Sequence, residues 1–323
     1  MGFLAVMANG FVSISSDYMG YGSSKAFRNY LVRDTYVTAT MPLWIKTASF
    51  LREDTESKTA LADAAFYFGY SEGGYASVAI ADGLLKSIAV QPLRVMAGAG
   101  PYRMKDGTNI KNGVAGNDAA AIDDKLAYIL ALLGAAYSVA NPNSMIRDTL
   151  KGQSLLNSAF MDPNNIPINV INWLAETTMD RFEMSTRLTS KFGDDLVDDI
   201  WSPLLVKIIR DSNAANVNFC YEENIQTGVS DHFCTVLAQN DLIETLETAD
   251  YPIEICHSVD DELSLYANVP NVTSNPNLTL IQITDGLLHK KAATACFGVG
   301  FSFLANYNAS LFVIKDKHVP GRR

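Results

Sequence analysis

Short apolar runs alternate with longer amphipathic stretches in the first and last thirds of the chain. The runs are rich in apolar and β-branched residues, as strands covered on both faces are. They predict strands over residues 11–15, 65–69, 93–97, 253–257 and 278–283. The stretches between them predict helices over residues 43–57, 74–86 and 289–306. Strands that alternate with helices are typical of a parallel sheet with crossover helices, so the predicted fold class is α/β.

The middle of the chain has a different pattern. From about residue 105 to 248 the strand patterns stop, and amphipathic segments follow one another at 124–140, 168–192 and 195–211. We interpret this region as a helical cap, 105–248, inserted between the two parts of a core, 1–104 and 249–323. Its apolar stretch, 126–140, is shorter than the roughly 20 residues that a transmembrane helix needs. We expect it to pack within the cap, with lining of an acyl channel as the alternative.

Composition narrows the classes of partner. The chain has 323 residues, of which 48% are hydrophobic, and a formal net charge of -10. A chain of this length and apolar content can bury a sizeable core. Proteins that bind nucleic acids or anionic lipids need clustered Lys and Arg, whereas this chain carries a net negative charge. We therefore expect no nucleic-acid partner.

The four cysteines lack the paired spacings of a zinc site, and we expect no metal. Cys256 and Cys296 lie in apolar surroundings and are expected to be buried thiols, whereas Cys220 and Cys234 could close a short loop in a secreted protein. The apolar residues 1–8 lack the basic region of a signal peptide. Three N-x-[ST] triplets permit glycosylation, and they begin at Asn271, Asn277 and Asn308.

Residues 69–74, Gly-Tyr-Ser-Glu-Gly-Gly, match G-x-S-x-G between a predicted strand and a predicted helix. A sharp turn there would strain the backbone of Ser71, so small residues are needed where the chain comes close, and Gly69 and Gly73 meet that need. The helix N-terminus would offer the Glu72 amide to an oxyanion. For the Glu72 side chain we expect only a favourable position near the helix dipole. The alternative is a glycine-rich turn that contains serine by chance.

A nucleophilic serine needs a base, and the chain has four histidines. His289 follows the last predicted strand and opens the last helix, which places it at the carboxyl edge of the sheet beside Ser71. We expect structural roles for His232, His257 and His318. The acid belongs on the loop after the strand 253–257, where Asp260, Asp261 and Glu262 are consecutive, and the residues alone do not rank Asp260 against Asp261.

These motifs resemble the secretory lipases of the lipase A type, within the α/β-hydrolases. Residues 17–22 are similar to the family's D-Y-x-G-x-G segment, 69–74 to its G-Y-S-x-G-G turn and 257–262 to its H-G-x-x-D-E motif, in which Ser258 replaces the usual glycine. The terminal H-x-x-A pattern begins at His289. The resemblance implies an α/β-hydrolase fold with a helical lid and assigns the acid to Asp261.

The resemblance also implies that the first strands of the family fold are absent, because residues 1–9 look like the helix before its fourth strand. The loop after the third strand supplies the second oxyanion N–H in that fold. The sequence therefore leaves two hypotheses for the chain, an active enzyme and a non-catalytic remnant.

The function predicted is hydrolysis of a carboxylic ester, with a small-molecule ester or lipid as substrate. Ser71 would attack, His289 would carry the proton, and Asp261 would orient the imidazole. No cofactor is implied. A peptidase of the prolyl or aminopeptidase type on the same fold is the alternative. The resemblance also suggests secretion and contact of the cap with a lipid interface.

Overall fold

The computed structural model describes residues 11–22, 24, 28–53, 60–105, 132–134, 136–137, 201–215, 217–218, 220 and 228–316. Six helices and four strands can be followed within them. In chain order they are α1 (Arg33–Glu53), β1 (Ala64–Tyr70), α2 (Glu72–Ile88), β2 (Gln91–Gly98), α3 (Pro203–Ala214), α4 (Gly228–Gln239), α5 (Ile243–Thr248), β3 (Ile253–Ser258), β4 (Leu278–Ile283) and α6 (His289–Asp316). None of the helices in this part of the chain is both long and apolar enough to cross a membrane.

The four strands form one parallel sheet in the order β1-β2-β3-β4. They coincide with four of the predicted strands, and the predicted α/β class is confirmed. The last residues of neighbouring strands are in register: Tyr70 pairs with Gly98, and Ser258 with Ile283. All four carboxyl ends therefore meet at one edge of the sheet, where residues from distant parts of the chain can combine.

The strand predicted over residues 11–15 is not formed. Residues 11–18 have no regular secondary structure, although the Phe11 ring contacts the Phe66 ring of β1 with their centroids 5.8 Å apart. A strand exists only where a neighbour completes its hydrogen-bond ladder, and among the described residues β1 pairs with β2 alone. Apolar patterning is therefore not sufficient to place this segment in the sheet.

The core helices agree with the predictions in position and differ in length. Helix α2 extends the predicted 74–86 by two residues at each end, and α6 continues to Asp316. Helix α1 begins at Arg33, ten residues before the predicted start, and residues 54–57 of that prediction lie outside the described part. Helix α2 packs tightly against the sheet because Tyr75, Val78 and Leu84 on it are fully buried.

The described residues of the predicted cap are helical wherever they have regular structure, apart from an isolated bridge at Trp201. Trp201, Leu205 and Phe233 are fully buried in one apolar cluster with Tyr75 of α2, and Leu132 and Tyr137 from the apolar stretch 126–140 join the same cluster. The cap segment predicted over 168–192 lies outside the described residues. The boundaries 105 and 248 stay predictions.

Both cysteine pairs form disulfides. Cys220 and Cys234 are joined, as the sequence allowed. Cys256 and Cys296 are not buried thiols, and that prediction is wrong: they form a second disulfide between β3 and α6. The two Cα atoms are 5.6 Å apart, within the usual range for a disulfide. Only the packing of α6 on the sheet brings them together, so spacing along the chain does not reveal the pair.

Candidate active site

Ser71 lies at the sharp turn between β1 and α2. Its backbone has φ 58° and ψ -123°, a sparsely populated conformation for a residue with a side chain. Two backbone hydrogen bonds hold it there: the Ser71 N–H donates to the Gly98 carbonyl at 2.8 Å, and the Tyr75 N–H donates to the Ser71 carbonyl at 3.2 Å. These two bonds fix the strained backbone of Ser71 between the end of β2 and the first turn of α2.

Close backbone approach explains two of the glycines around Ser71. A Cβ at Gly69 would lie 1.8 Å from the Gly73 carbonyl oxygen, and one at Gly74 would lie 2.2 Å from the Gly98 carbonyl oxygen. A Cβ at Gly73 would have no atom within 4 Å. The prediction that Gly73 must be small is therefore wrong, and the second required glycine is Gly74, because α2 packs against β2 at that position.

The backbone amide of Glu72 is available at the start of α2. It donates no hydrogen bond within the described part of the chain, as is usual for the first N–H groups of a helix. Together with the positive end of the helix dipole, such an N–H suits a developing negative charge. This is the amide that the sequence predicts as an oxyanion donor.

At the other end of the edge, His289 and Asp261 are in direct contact. The His289 Nδ1 atom lies 2.7 Å from Asp261 Oδ2 and 2.9 Å from Asp261 Oδ1. Both residues are buried, whereas Asp260 is exposed to solvent. The structure thus places Asp261 rather than Asp260 against the imidazole, and this contact directs Nε2 away from the acid.

The Asp261 carboxylate is held by its own loop. Asp261 Oδ1 accepts hydrogen bonds from the Leu263 N–H at 3.0 Å and the Ser264 N–H at 2.7 Å. The Ser264 carbonyl oxygen in turn lies 2.6 Å from His257 Nε2, so the imidazole donates there. His257 is fully buried, and burial lowers the pKa of its imidazole. His257 therefore has the structural position predicted for it, in the loop that carries Asp261.

The segment between β4 and α6 crosses the edge of the sheet towards β1. Three strand spacings separate β4 from β1, about 14 Å, so this segment needs anchors along its path. The Ser258 hydroxyl donates to the Leu287 carbonyl at 2.5 Å, and the His289 N–H donates to Glu262 Oε2 at 2.7 Å. The Ser258 hydroxyl thus anchors this segment to the end of β3.

Tyr70 connects His289 to the serine turn. The Tyr70 hydroxyl donates to the His289 carbonyl at 2.6 Å, and the centroids of the two rings are 5.0 Å apart. Because Tyr70 directly precedes Ser71, this contact links the predicted base to the strand end that leads into the predicted nucleophile. Among the hydrogen bonds of the described residues, none joins the Ser71 hydroxyl to His289 itself.

The side chain of Glu72 has contacts that the sequence did not suggest. Its Oε2 accepts a hydrogen bond from the Tyr21 hydroxyl at 2.6 Å, and its Oε1 accepts one from the Tyr36 hydroxyl at 2.9 Å. Burial raises the pKa of the Glu72 carboxyl, and the two hydrogen bonds lower it again in part. Tyr21 belongs to the 17–22 motif, which could have signalled proximity to the turn, but nothing in the sequence singles out Tyr36.

The side chains of the two remaining histidines lie outside the described part of the structure. The His232 side chain and residue His318 are among the parts that the structure does not describe. Of the predicted site residues, the structure therefore joins Asp261 to His289 directly, and it places Tyr70, the residue before Ser71, in contact with His289.

Solved structures share this arrangement of elements. A Legionella pneumophila protein described as a presumed hydrolase matches with a TM-score of 0.68 and 15% sequence identity, over 94% of this chain and 72% of that protein. The rice cell wall degrading esterase LipA from Xanthomonas oryzae matches with a TM-score of 0.60 and 19% identity, over 94% of this chain and 71% of LipA. Neither a protein-family model nor a curated protein matches the sequence.

At these identities the likeness concerns the fold. The four-stranded parallel sheet and the helices between its strands agree with it. The chain has an α/β-hydrolase fold, of which the described residues supply four consecutive parallel strands.

Proposed function

We propose that this chain is a serine hydrolase that cleaves carboxylic esters through an acyl-enzyme. The observation that carries the proposal is the buried Asp261–His289 pair, with Nδ1 2.7 Å from the carboxylate, beside the strained turn of Ser71. A carboxylate on Nδ1 fixes the tautomer in which Nε2 accepts a proton. Structural similarity to an esterase, LipA, supports the ester as substrate.

The reaction would follow from these groups in two halves. Ser71 Oγ attacks the ester carbonyl while His289 Nε2 takes the hydroxyl proton, and the resulting oxyanion is stabilised by the Glu72 N–H. The alcohol then leaves with the proton from His289, and the acyl group remains on Ser71. A water molecule, activated by the same imidazole, releases the acid and restores the serine.

Fluorophosphonate labelling of the purified chain, with peptide mapping of the adduct, tests the proposal directly. We expect a covalent adduct at Ser71 that is absent from Ser71→Ala. The matched control is Ser302→Ala, which removes an exposed hydroxyl on α6 and should leave labelling unchanged. A folded wild-type chain that takes up no label would contradict the proposal and favour the non-catalytic remnant.

Substrate class is tested next, on unlabelled enzyme whose active sites have been counted by labelling of a separate sample. We expect turnover of p-nitrophenyl esters across a series of acyl lengths and no turnover of prolyl or aminoacyl p-nitroanilides. The reverse result would assign the peptidase alternative. Contact of the cap, 105–248, with a lipid interface is part of the proposal. A jump in rate when a long-chain ester passes from monomers to an emulsion is the expected sign.

We also propose that the protein works in an oxidising compartment, as a secreted protein does. The support is the pair of disulfides, Cys220–Cys234 and Cys256–Cys296, because disulfides persist outside the reducing cytosol. Peptide mapping without reductant on protein from its native source should recover both linked peptides. Recovery of free thiols at these positions would contradict the assignment.

A further inference from the structure

The Glu72 carboxylate links the serine turn to two segments that are distant in the sequence. Its partners are the hydroxyls of Tyr21, 51 residues away, and Tyr36, 36 residues away. Tyr21 follows the coil 11–18, and Tyr36 lies in the first turn of α1. The residue that carries the proposed oxyanion N–H is thus held at its side chain by two segments that precede β1 in the chain.

Both tyrosines are themselves well anchored. The Tyr36 hydroxyl also accepts the Leu31 N–H at 2.9 Å, its ring packs edge-on against Tyr18 at 4.9 Å, and the residue is 1% exposed. The Tyr21 ring lies under the Arg28 guanidinium, which is 4.3 Å from its centroid. Hydrogen bonds to a carboxylate are stronger than those between neutral groups, so this is a firm attachment.

The backbone at Ser71 needs such an attachment. The backbone conformation of Ser71 is strained, and strained conformations persist only where the surroundings hold them. The hydrogen bonds to Gly98 and from Tyr75 restrain the N–H and the carbonyl of Ser71. They leave the Glu72 N–H without a partner among the described residues. The Glu72 end of the Ser71–Glu72 peptide is therefore restrained through the Glu72 side chain.

We propose that Glu72 is a positioning residue. Its carboxylate, which accepts hydrogen bonds from Tyr21 and Tyr36, keeps the Ser71–Glu72 peptide oriented so that the Glu72 N–H faces the oxyanion. This rests on the proposed serine hydrolase function. It goes beyond that function because it assigns a role to a side chain outside the proposed triad and to two tyrosines far from the serine in sequence.

Three kinds of variant test the role. Glu72→Ala removes both attachments, the double variant Tyr21→Phe with Tyr36→Phe removes the donors, and Glu72→Gln retains groups that can hydrogen-bond to both hydroxyls. The control is Tyr251→Phe, because the Tyr251 hydroxyl is buried and has no hydrogen-bond partner among the described residues. The single Tyr→Phe variants keep one attachment each and serve if the other variants fold poorly.

Turnover is measured per active site, with the sites counted by a fluorophosphonate titration. A merely structural role would reduce the number of titratable sites and leave kcat per site unchanged. We expect Glu72→Ala and the double variant to lower kcat per site by about 10- to 100-fold, less than the loss of a whole oxyanion donor, with KM within about twofold. The kcat per site of Glu72→Gln should lie within about fivefold of wild type, and that of Tyr251→Phe should equal wild type.

Two results would overturn the proposal. One is an unchanged kcat per site in Glu72→Ala or in the tyrosine variants. The other is a Glu72→Gln variant as slow as Glu72→Ala, which would mean that charge rather than attachment matters. Failure of the proposed serine hydrolase function would give a different result, because the wild-type chain would then take up no label at all.

Discussion

The two halves of the candidate site are held in place by different means. On the serine side, backbone packs on backbone: the contacts of Gly69 with Gly73 and of Gly74 with Gly98 leave no room for a methyl group. On the acid–base side, the restraints are hydrogen bonds from side chains and a disulfide, Cys256–Cys296, that closes the loop containing both Asp261 and His289.

The difference predicts how each half responds to change. Close-packed backbone has no flexible group that can move aside, so one added carbon on the serine side should be severe. The acid–base side shares its restraints among several contacts, each of moderate strength, so the loss of one should be partial. The following variants test this contrast, from the largest expected effect to the smallest.

Gly69→Ala is expected to be the most damaging single change. The new methyl would lie 1.8 Å from the Gly73 carbonyl oxygen, and relief requires the turn itself to open. We expect the free energy of unfolding to fall by about 4 kcal/mol or more, measured by urea denaturation, and labelling at Ser71 to be lost.

The matched control for that change is Gly73→Ala. Its methyl meets no atom within 4 Å, and alanine is the better helix former, so stability should stay the same or rise by up to about 1 kcal/mol. If both variants lose similar amounts of stability, close backbone contact is not what restrains the serine side.

Removal of the Cys256–Cys296 disulfide is expected to have an intermediate effect. The double variant Cys256→Ala with Cys296→Ala should lose about 2–4 kcal/mol of stability and a larger share of the proposed esterase activity than its stability at the assay temperature explains. Both consequences arise because the bridge ties β3 to the helix that begins at His289. Urea denaturation and initial rates at a temperature where the variant is folded measure them.

The comparison is the equivalent removal of Cys220–Cys234. That bridge spans 14 residues rather than 40, so its loss should cost roughly 1 kcal/mol less by the chain-entropy relation. It should also leave the rate per titrated site unchanged. Equal losses of rate in both variants would argue against a special role for the bridge between β3 and α6.

His257→Leu is expected to have the smallest effect and one that depends on pH. The variant leaves the Ser264 carbonyl without its donor and should lose about 1–2 kcal/mol at pH 7. Burial holds the pKa of His257 below its ordinary value of 6.5, so the contribution of this histidine to stability is present above that pH and is lost as the pH falls towards the folded-state pKa.

Wild type should therefore approach the variant in stability as denaturation is repeated from pH 7 towards pH 5. His257→Gln, which retains an N–H donor, should lose less at pH 7 and show the same flat pH response as His257→Leu. A gap between wild type and His257→Leu that widens on acidification would reverse the sign and contradict the assignment.

Features whose signal is local in the sequence were predictable. The serine turn was predictable because the steric demand of the turn and the apolar strand before it lie within a few consecutive residues. The strands β1 to β4 were predictable for the same reason, since runs of apolar residues between turns leave few alternatives. Residues 11–15 show the limit, because their pattern resembles that of a strand and no neighbouring strand completes it.

Features that depend on a neighbour far along the chain were not predictable from local patterns. The motif G-x-S-x-G points to Gly73, and only the position of β2 shows that the adjacent Gly74 is the constrained one. The Cys256–Cys296 pair and the Tyr36–Glu72 contact join segments that approach each other only after the helices have packed on the sheet.

The sequence by itself determined the α/β class, the strand-to-helix turn at Ser71 and the candidates for acid and base, because local patterns and residue chemistry decide these. The tertiary structure decided which carboxylate meets His289, which glycine is indispensable and what holds the Glu72 side chain. These depend on distances between residues remote in the chain, and such distances exist only when the sheet has brought its strand ends to one edge.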